Sequence, residues 1–208
     1  MAIRDLLWAC PECRRIAGIR TGRDGERCTG CGTRFRRVRA AVIEAARPDG
    51  SREALPAATW AARLAGIDLD AVAKGAGARG SGFQLRERVR ARFAVGETPV
   101  RHRGRYLNRI ERFGPDQAGT LELADGALVF QRDDGSDVAW PFDRITAIQP
   151  SSSTLQIKGK GMPLASFRFP DGSARLWEEL LCAALRRHYR EAGRGEIVEF
   201  QPRIVTRP

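Results

Sequence analysis

Four of the five cysteines fall in two pairs, Cys10-Pro-Glu-Cys13 and Cys28-Thr-Gly-Cys31. A CxxC turn aims two thiolates at one point, and two such turns complete a tetrahedron around a soft divalent ion. The fourteen residues between the pairs are slightly fewer than the ~15–20 usual for this kind of site. Arg15–Arg20 reads as a short strand, and Asp24-Gly25 is a tight hairpin signal that returns the chain to the second pair. Gly30 and Gly32 flank Cys31, where a metal knuckle needs positive φ and free amides near sulfur. Phe35 and Val38 are expected to cover one side of this small unit and Trp8 another. Four ligands leave no open position for water, so the chemistry is structural rather than catalytic. The rival, two disulfides, requires an export route, and Met1 to Cys10 shows no secretory signal.

The pattern Cys-Pro-x-Cys…Cys-x-x-Cys-Gly resembles the zinc-ribbon family over about residues 6–42. The resemblance implies a structural Zn2+ held by Cys10, Cys13, Cys28 and Cys31. Rubredoxins place iron in a similar four-cysteine spacing, so zinc against iron stays open from sequence. Zinc ribbons touch nucleic acid or protein, and the fold does not decide which. Loss of the metal is expected to unfold residues 1–45 and leave the C-terminal half intact, since metal binding is folding energy in a unit this small.

No second chemical constellation emerges. His102 lies among arginines, and His188 falls on the packing side of a helical pattern. There is no GxSxG, HExxH or Walker loop. Asp133-Asp134 and Glu178-Glu179 read as turn and helix-surface acids. Residues 75–80 match GxGxxG, but they sit in a Gly/Ala-rich run from Lys74 to Gly82 without the βαβ unit such a fingerprint needs, and read as linker. Cys182, among Leu180, Leu181 and Leu185, reads as a small buried side chain. The expectation is a binding protein, not an enzyme.

Charge narrows the partner. The chain carries 36 Lys+Arg against 25 Asp+Glu, a net of +11. The excess lies in residues 1–50 (+5) and 74–112 (+8), with the rest close to neutral. Such blocks are the footprint of an anionic partner: nucleic acid, lipid or an acidic protein. Only three of the basic residues are Lys, a bias that a GC-rich bacterial genome would produce. At 42% hydrophobic residues the chain can bury a core, and no apolar run reaches the ~18 residues needed to span a bilayer.

The C-terminal half reads as mainly β with one closing helix. Strand patterns occur at Arg103–Glu111, Gly119–Leu123, Ala127–Gln131, Val138–Phe142, Ile145–Ile148, Thr154–Lys158 and Ser166–Phe169, separated by turn chemistry such as Asp125-Gly126 and Pro170-Asp171-Gly172. Ser173 is the expected N-cap of a helix with an apolar stripe through Leu176, Trp177, Leu180, Leu181, Ala184, Leu185 and His188, ended by Gly193. This order of elements resembles the pleckstrin-homology-like superfold, most closely its GRAM subgroup. The resemblance is carried by Gly119-Thr-Leu-Glu-Leu123, Leu128-Val-Phe130, Trp140-Pro-Phe142 into Asp143-x-Ile145, Leu155-Gln-Ile157, Ser166-Phe-Arg-Phe169 and the helix with Trp177. It implies a bent β-sandwich plugged at its open corner by the C-terminal helix. Such domains bind phosphoinositides or proteins, with basic residues on the first strands and loops. The matching positions are Arg101, Arg103, Arg105 and Arg109, with Lys158 and Lys160 as a second basic loop. An exposed hydrophobic insertion loop is not evident.

Between the two halves, Pro56 can open a short helix with Trp60 and Leu64, stopped by Gly66. Phe83–Val95 fits two periods. As a strand it lines up Arg86, Arg88, Arg90 and Arg92 on one face; as a helix it spreads them. Its Arg, Glu, Gln, Leu and Ala content favours helix. The tail from Glu196 to Pro208 is apolar for a terminus and reads as a strap or an added edge strand.

The combined expectation is α+β. A zinc ribbon (1–47) leads through a linker with short helices (48–95) to a PH/GRAM-like domain (96–193) and a tail (194–208). Its expected role is a cytoplasmic bacterial adaptor, peripheral at the inner membrane face or on a protein partner. Nucleic-acid binding through Arg34, Arg36, Arg37 and Arg39 is the alternative.

Overall fold

The computed structural model describes residues 2–22, 25–72, 85–151, 153–194, 197–200 and 203–206. The Gly-rich run with its GxGxxG match lies outside them, as does the tip of the first hairpin.

The N-terminal part is a five-stranded antiparallel meander: β1 (Ile19–Gly22), β2 (Gly25–Cys28), β3 (Arg34–Arg39), β4 (Val42–Ala46) and β5 (Arg52–Pro56), in sheet order β1-β2-β3-β4-β5. Alternation decides which side is wet. Phe35, Ile43 and Ala45 are buried, while Arg34, Arg36 and Glu53 face outward or lie at the rim. The sheet runs past the Pro48–Ser51 turn cluster, because that cluster is the connection between β4 and β5: Arg47 N–H donates to the Ser51 carbonyl and Gly50 sits at φ +87°. Pro56 then opens helix α2 (Ala57–Ala62), following a single turn α1 (Ile3–Leu6) at the start of the chain. Trp60 of α2 is fully buried, meets Phe35 edge-on and donates Nε1–H to the Ile43 carbonyl at 2.9 Å. Val38, expected to cover the ribbon, is 40% exposed, since the register shift between Arg37 and Arg39 turns it out of the core.

The second part is an eight-stranded antiparallel sheet. Its strands are β6 (Arg86–His102), β7 (Arg105–Phe113), β8 (Gln117–Ala124), β9 (Ala127–Arg132), β10 (Asp137–Pro141), β11 (Ile145–Pro150), β12 (Thr154–Gly159) and β13 (Ala165–Arg168). The order is β10-β9-β8-β6-β13-β12-β11, with β7 paired only to β6 among the described residues. The seven strands read from β7 to β13 stand close to where alternation and turn residues put them.

Residues 86–95, favoured as helix by composition, are strand. β6 finds partners on both edges, β8 and β13, and burying Val89 and Ala91 between them outweighs helix propensity. Helix α3 (Ala174–Glu191) lies over β11 and β12. The Ser173 hydroxyl accepts from the Leu176 amide at 3.3 Å as its N-cap. Its stripe buries Leu176, Trp177, Leu180, Leu181, Ala184 and Leu185, and Cys182 is buried as expected. Trp177 stacks on Phe169, and Phe93, Phe130, Trp140 and Phe167 form a connected aromatic centre. The tail forms a hairpin, β14 (Ile197–Phe200) with β15 (Arg203–Thr206), and β15 lies against β11.

The two parts share a seam. Trp8, expected to cover the ribbon, belongs with Ala9 and Leu64 to the core of the larger sheet. Glu26, 8% exposed, caps the first turn by accepting from the amides of Ile3 and Arg4 at 2.6 and 3.2 Å. Arg4 and Arg20 reach across to the carbonyls of Pro170 and Asp171.

Candidate functional site

The β1–β2 hairpin and the turn before β3 bring the two cysteine pairs together. The Sγ atoms of Cys10, Cys13, Cys28 and Cys31 all lie within 4.8 Å of one another. Cys10 and Cys31 are 3.7 Å apart, and Cys13 and Cys28 are 3.6 Å apart. A tetrahedron with metal–sulfur bonds of ~2.3 Å has edges of about 3.8 Å, so the cage fits a tetrahedrally bound metal ion. All four thiols are free, and disulfide bonding would need sulfurs at ~2.05 Å.

The knuckle is built as glycine chemistry requires. Gly32 takes φ +76°, and the Gly30 amide donates to Cys28 Sγ at 3.3 Å. A Cβ on Gly30 would come within 3.2 Å of Cys13 Sγ. Burial pushes the Cys10 and Cys13 thiols up, as desolvation disfavours thiolate. At Cys31 burial acts the same way but is outweighed by the hydroxyl and amide of Thr33 together with hydrogen bonds from Cys10 and Cys13, which bring it down to about 7. The Thr33 hydroxyl lies 3.2 Å from Cys31 Sγ and is itself buried. Glu12, inside the first CxxC, is clamped by Arg47 at 2.7 Å and reached by Arg63 at 3.4 Å. Both arginines also bind Glu53, whose carboxyl they hold at about 2. This network ties the first knuckle to β5 and α2.

The basic residues lie on a different element. Beyond Ala94, β6 leaves the main sheet and continues with β7 alone as a two-stranded arm from Ala94↔Phe113 to His102↔Arg105. Its tip is Arg103-Gly104, at φ +48° and +78°, the signature of a type I′ turn. Arg101, Arg103 and Arg105 are exposed at this distal end, and Arg109 stands on β7 opposite Pro99. Lys158 and Lys160 are exposed near the root, beside the loop whose Leu164 carbonyl accepts from the Ala94 amide. The arm's paired run from Ala94 to His102 corresponds to about 25 Å at a strand rise of ~3.3 Å, so the lysines and the tip arginines do not converge on one pocket.

Arg86, Arg88, Arg90 and Arg92 do share the outer face of β6, but acids answer three of them. Arg86 meets Glu122 at 3.1 Å, Arg88 grips Asp133 at 2.6 and 2.9 Å, and Arg92 lies 3.7 Å from Asp116. That row is a largely neutralised sheet surface.

Sequence reading missed the arm's apolar character. Val95, Tyr106, Leu107 and Ile110 are 48–61% exposed, so the chain does present exposed hydrophobic surface beside its arginines. The chain around the two-residue Arg103-Gly104 turn does not by itself show that these side chains stay uncovered. His102 is exposed near the tip, and His188 packs its ring against Phe142 and Tyr189. No helix among the described residues is long and apolar enough to cross a membrane. No family model, curated protein or solved structure matches the chain.

Proposed function

We propose that this chain is a non-enzymatic docking protein, in which a structural zinc ribbon is built onto a pleckstrin-homology/GRAM-like domain and a basic arm engages an anionic surface. Zinc suits the cage because four thiolates at tetrahedral spacing close its coordination shell. The antiparallel sheet, finished by a helix that buries Trp177, supports the domain reading.

The observation that carries the docking role is the arm. Residues 99–109 hold four arginines and no acid, on an element that leaves the body of the protein. Near an anionic leaflet each such residue is worth ~1 kcal/mol, giving weak, salt-sensitive attachment. The inner leaflet of a bacterial cytoplasmic membrane, or an acidic face of a protein partner, has the matching charge. A second reading, nucleic-acid binding, draws on Arg34, Arg36, Arg37 and Arg39, all exposed on β3. Liposome flotation beside a gel-shift assay, at ~0.1 and ~0.5 M salt, separates these readings. Flotation on anionic vesicles supports lipid docking, a duplex shift supports the second reading, and neither result leaves the protein partner.

A further inference from the structure

The arm joins two chemistries that are ordinarily kept apart. Val95, Tyr106, Leu107 and Ile110 are all exposed, and all four stand on the arm. A monomeric protein does not concentrate exposed apolar groups on one projecting element without a use for them. The same stretch carries the arginines of residues 99–109, with no acid in the sequence between them. A second copy of the chain paired tip to tip would bring the arginines of residues 99–109 against each other. A nucleic-acid groove would answer the arginines but leave Leu107 and Ile110 facing phosphates and polar base edges. An anionic bilayer answers both, since headgroup phosphates lie directly above hydrocarbon, tyrosine favours that boundary, and arginine can reach outward from it.

We infer that the β6–β7 arm is a membrane wedge: its arginines hold anionic headgroups while Tyr106, Leu107 and Ile110 enter the interfacial layer of the bilayer. This rests on the docking reading of the arm and adds apolar insertion to it. Insertion makes part of the binding resistant to salt, because screening weakens charge attraction and leaves apolar burial in place.

The test uses the zinc-loaded full chain and phosphatidylglycerol/phosphatidylcholine vesicles. Leu107→Trp installs a reporter against the buried Trp8, Trp60, Trp140 and Trp177. Its emission should shift to the blue on vesicles and be quenched by brominated lipid. Leu107→Asp with Ile110→Asp should reduce vesicle partitioning about tenfold or more at ~0.5 M salt while leaving attachment at ~0.1 M salt detectable. Flotation with no emission change, fully lost at high salt and indifferent to the aspartates, would overturn insertion and leave anionic docking standing. Absence of flotation at either salt, with or without a shift of duplex DNA, would overturn both.

Discussion

Trp8 and Cys10 are two positions apart, yet they are buried in different cores. Cys10 lies in the core of the N-terminal sheet with Phe35, Ile43 and Trp60, whereas Trp8 lies in the core of the large sheet. A metal that fixes Cys10 therefore also fixes the segment delivering Trp8 and Ala9 to the other core. The sequence alone leads to the expectation that residues 1–45 unfold by themselves on chelation; the shared seam predicts coupled loss instead. Structural zinc contributes ~10–16 kcal/mol of apparent folding energy in small units. Chelation should lower the melting temperature of the C-terminal sheet as well as the ribbon, followed by near-ultraviolet dichroism. A C-terminal transition that ignores chelator would show the seam carries no coupling.

Thr33 sets the electronic character of one ligand. Its hydroxyl, 3.2 Å from Cys31 Sγ, helps bring that thiol down to about 7 against the effect of burial. Thr33→Val keeps the volume and removes the hydroxyl. Partners behind metal ligands are typically worth 10–100-fold in affinity, so zinc retention against a chelator should fall about tenfold. An unchanged competition curve would mean the hydroxyl serves packing alone.

Glu87 is a half-buried acid at the seam. Burial raises its pKa, against the hydrogen bond that Trp177 Nε1 donates at 2.8 Å and the nearby Arg20. Its carboxylate also fills the space that a Cβ on Gly172 would need. A carboxyl whose pKa is higher folded than unfolded binds more protons in the native state across the interval between the two values. Stability therefore falls as pH rises from the ordinary glutamate value of 4.5 through the raised one. Glu87→Gln, which can still accept from Trp177, should flatten this slope and leave the protein no less stable at neutral pH. Urea midpoints from pH 4 to 8 measure it, and an identical slope in the variant would assign the dependence elsewhere.

Gly119 marks the tightest backbone approach in the large sheet. A Cβ there would strike the Gln131 carbonyl and approach the Phe130 ring at 2.6 Å. Gly119→Ala should cost about 1–3 kcal/mol, the usual range for overpacking a core. A urea midpoint equal to that of the unaltered protein would show that Phe130 yields freely.

The four-cysteine cage was legible because its signal is local. Two CxxC turns and flanking glycines specify a cage almost without reference to the rest of the chain. The strands from Gln117 to Arg168 were legible for the same reason, through alternation and turn residues. What escaped was set by distant partners. Arg86–Val95 has helix-forming residues, and only β8 and β13 make it a strand. Trp8 looks like a ribbon residue until the second core is in place. The exposure of Leu107 and Ile110 follows from β6 outrunning its neighbours, which no local pattern encodes.

The docking role is tested most directly by flotation of the full chain on phosphatidylglycerol vesicles, with Arg101, Arg103 and Arg105 replaced together by glutamine. These side chains are exposed at the arm's end, so the fold and zinc content should be unchanged. The unaltered protein should float at ~0.1 M salt and the triple variant should stay with the unbound fraction. Equal flotation of the two, with zinc bound in both, would contradict the account.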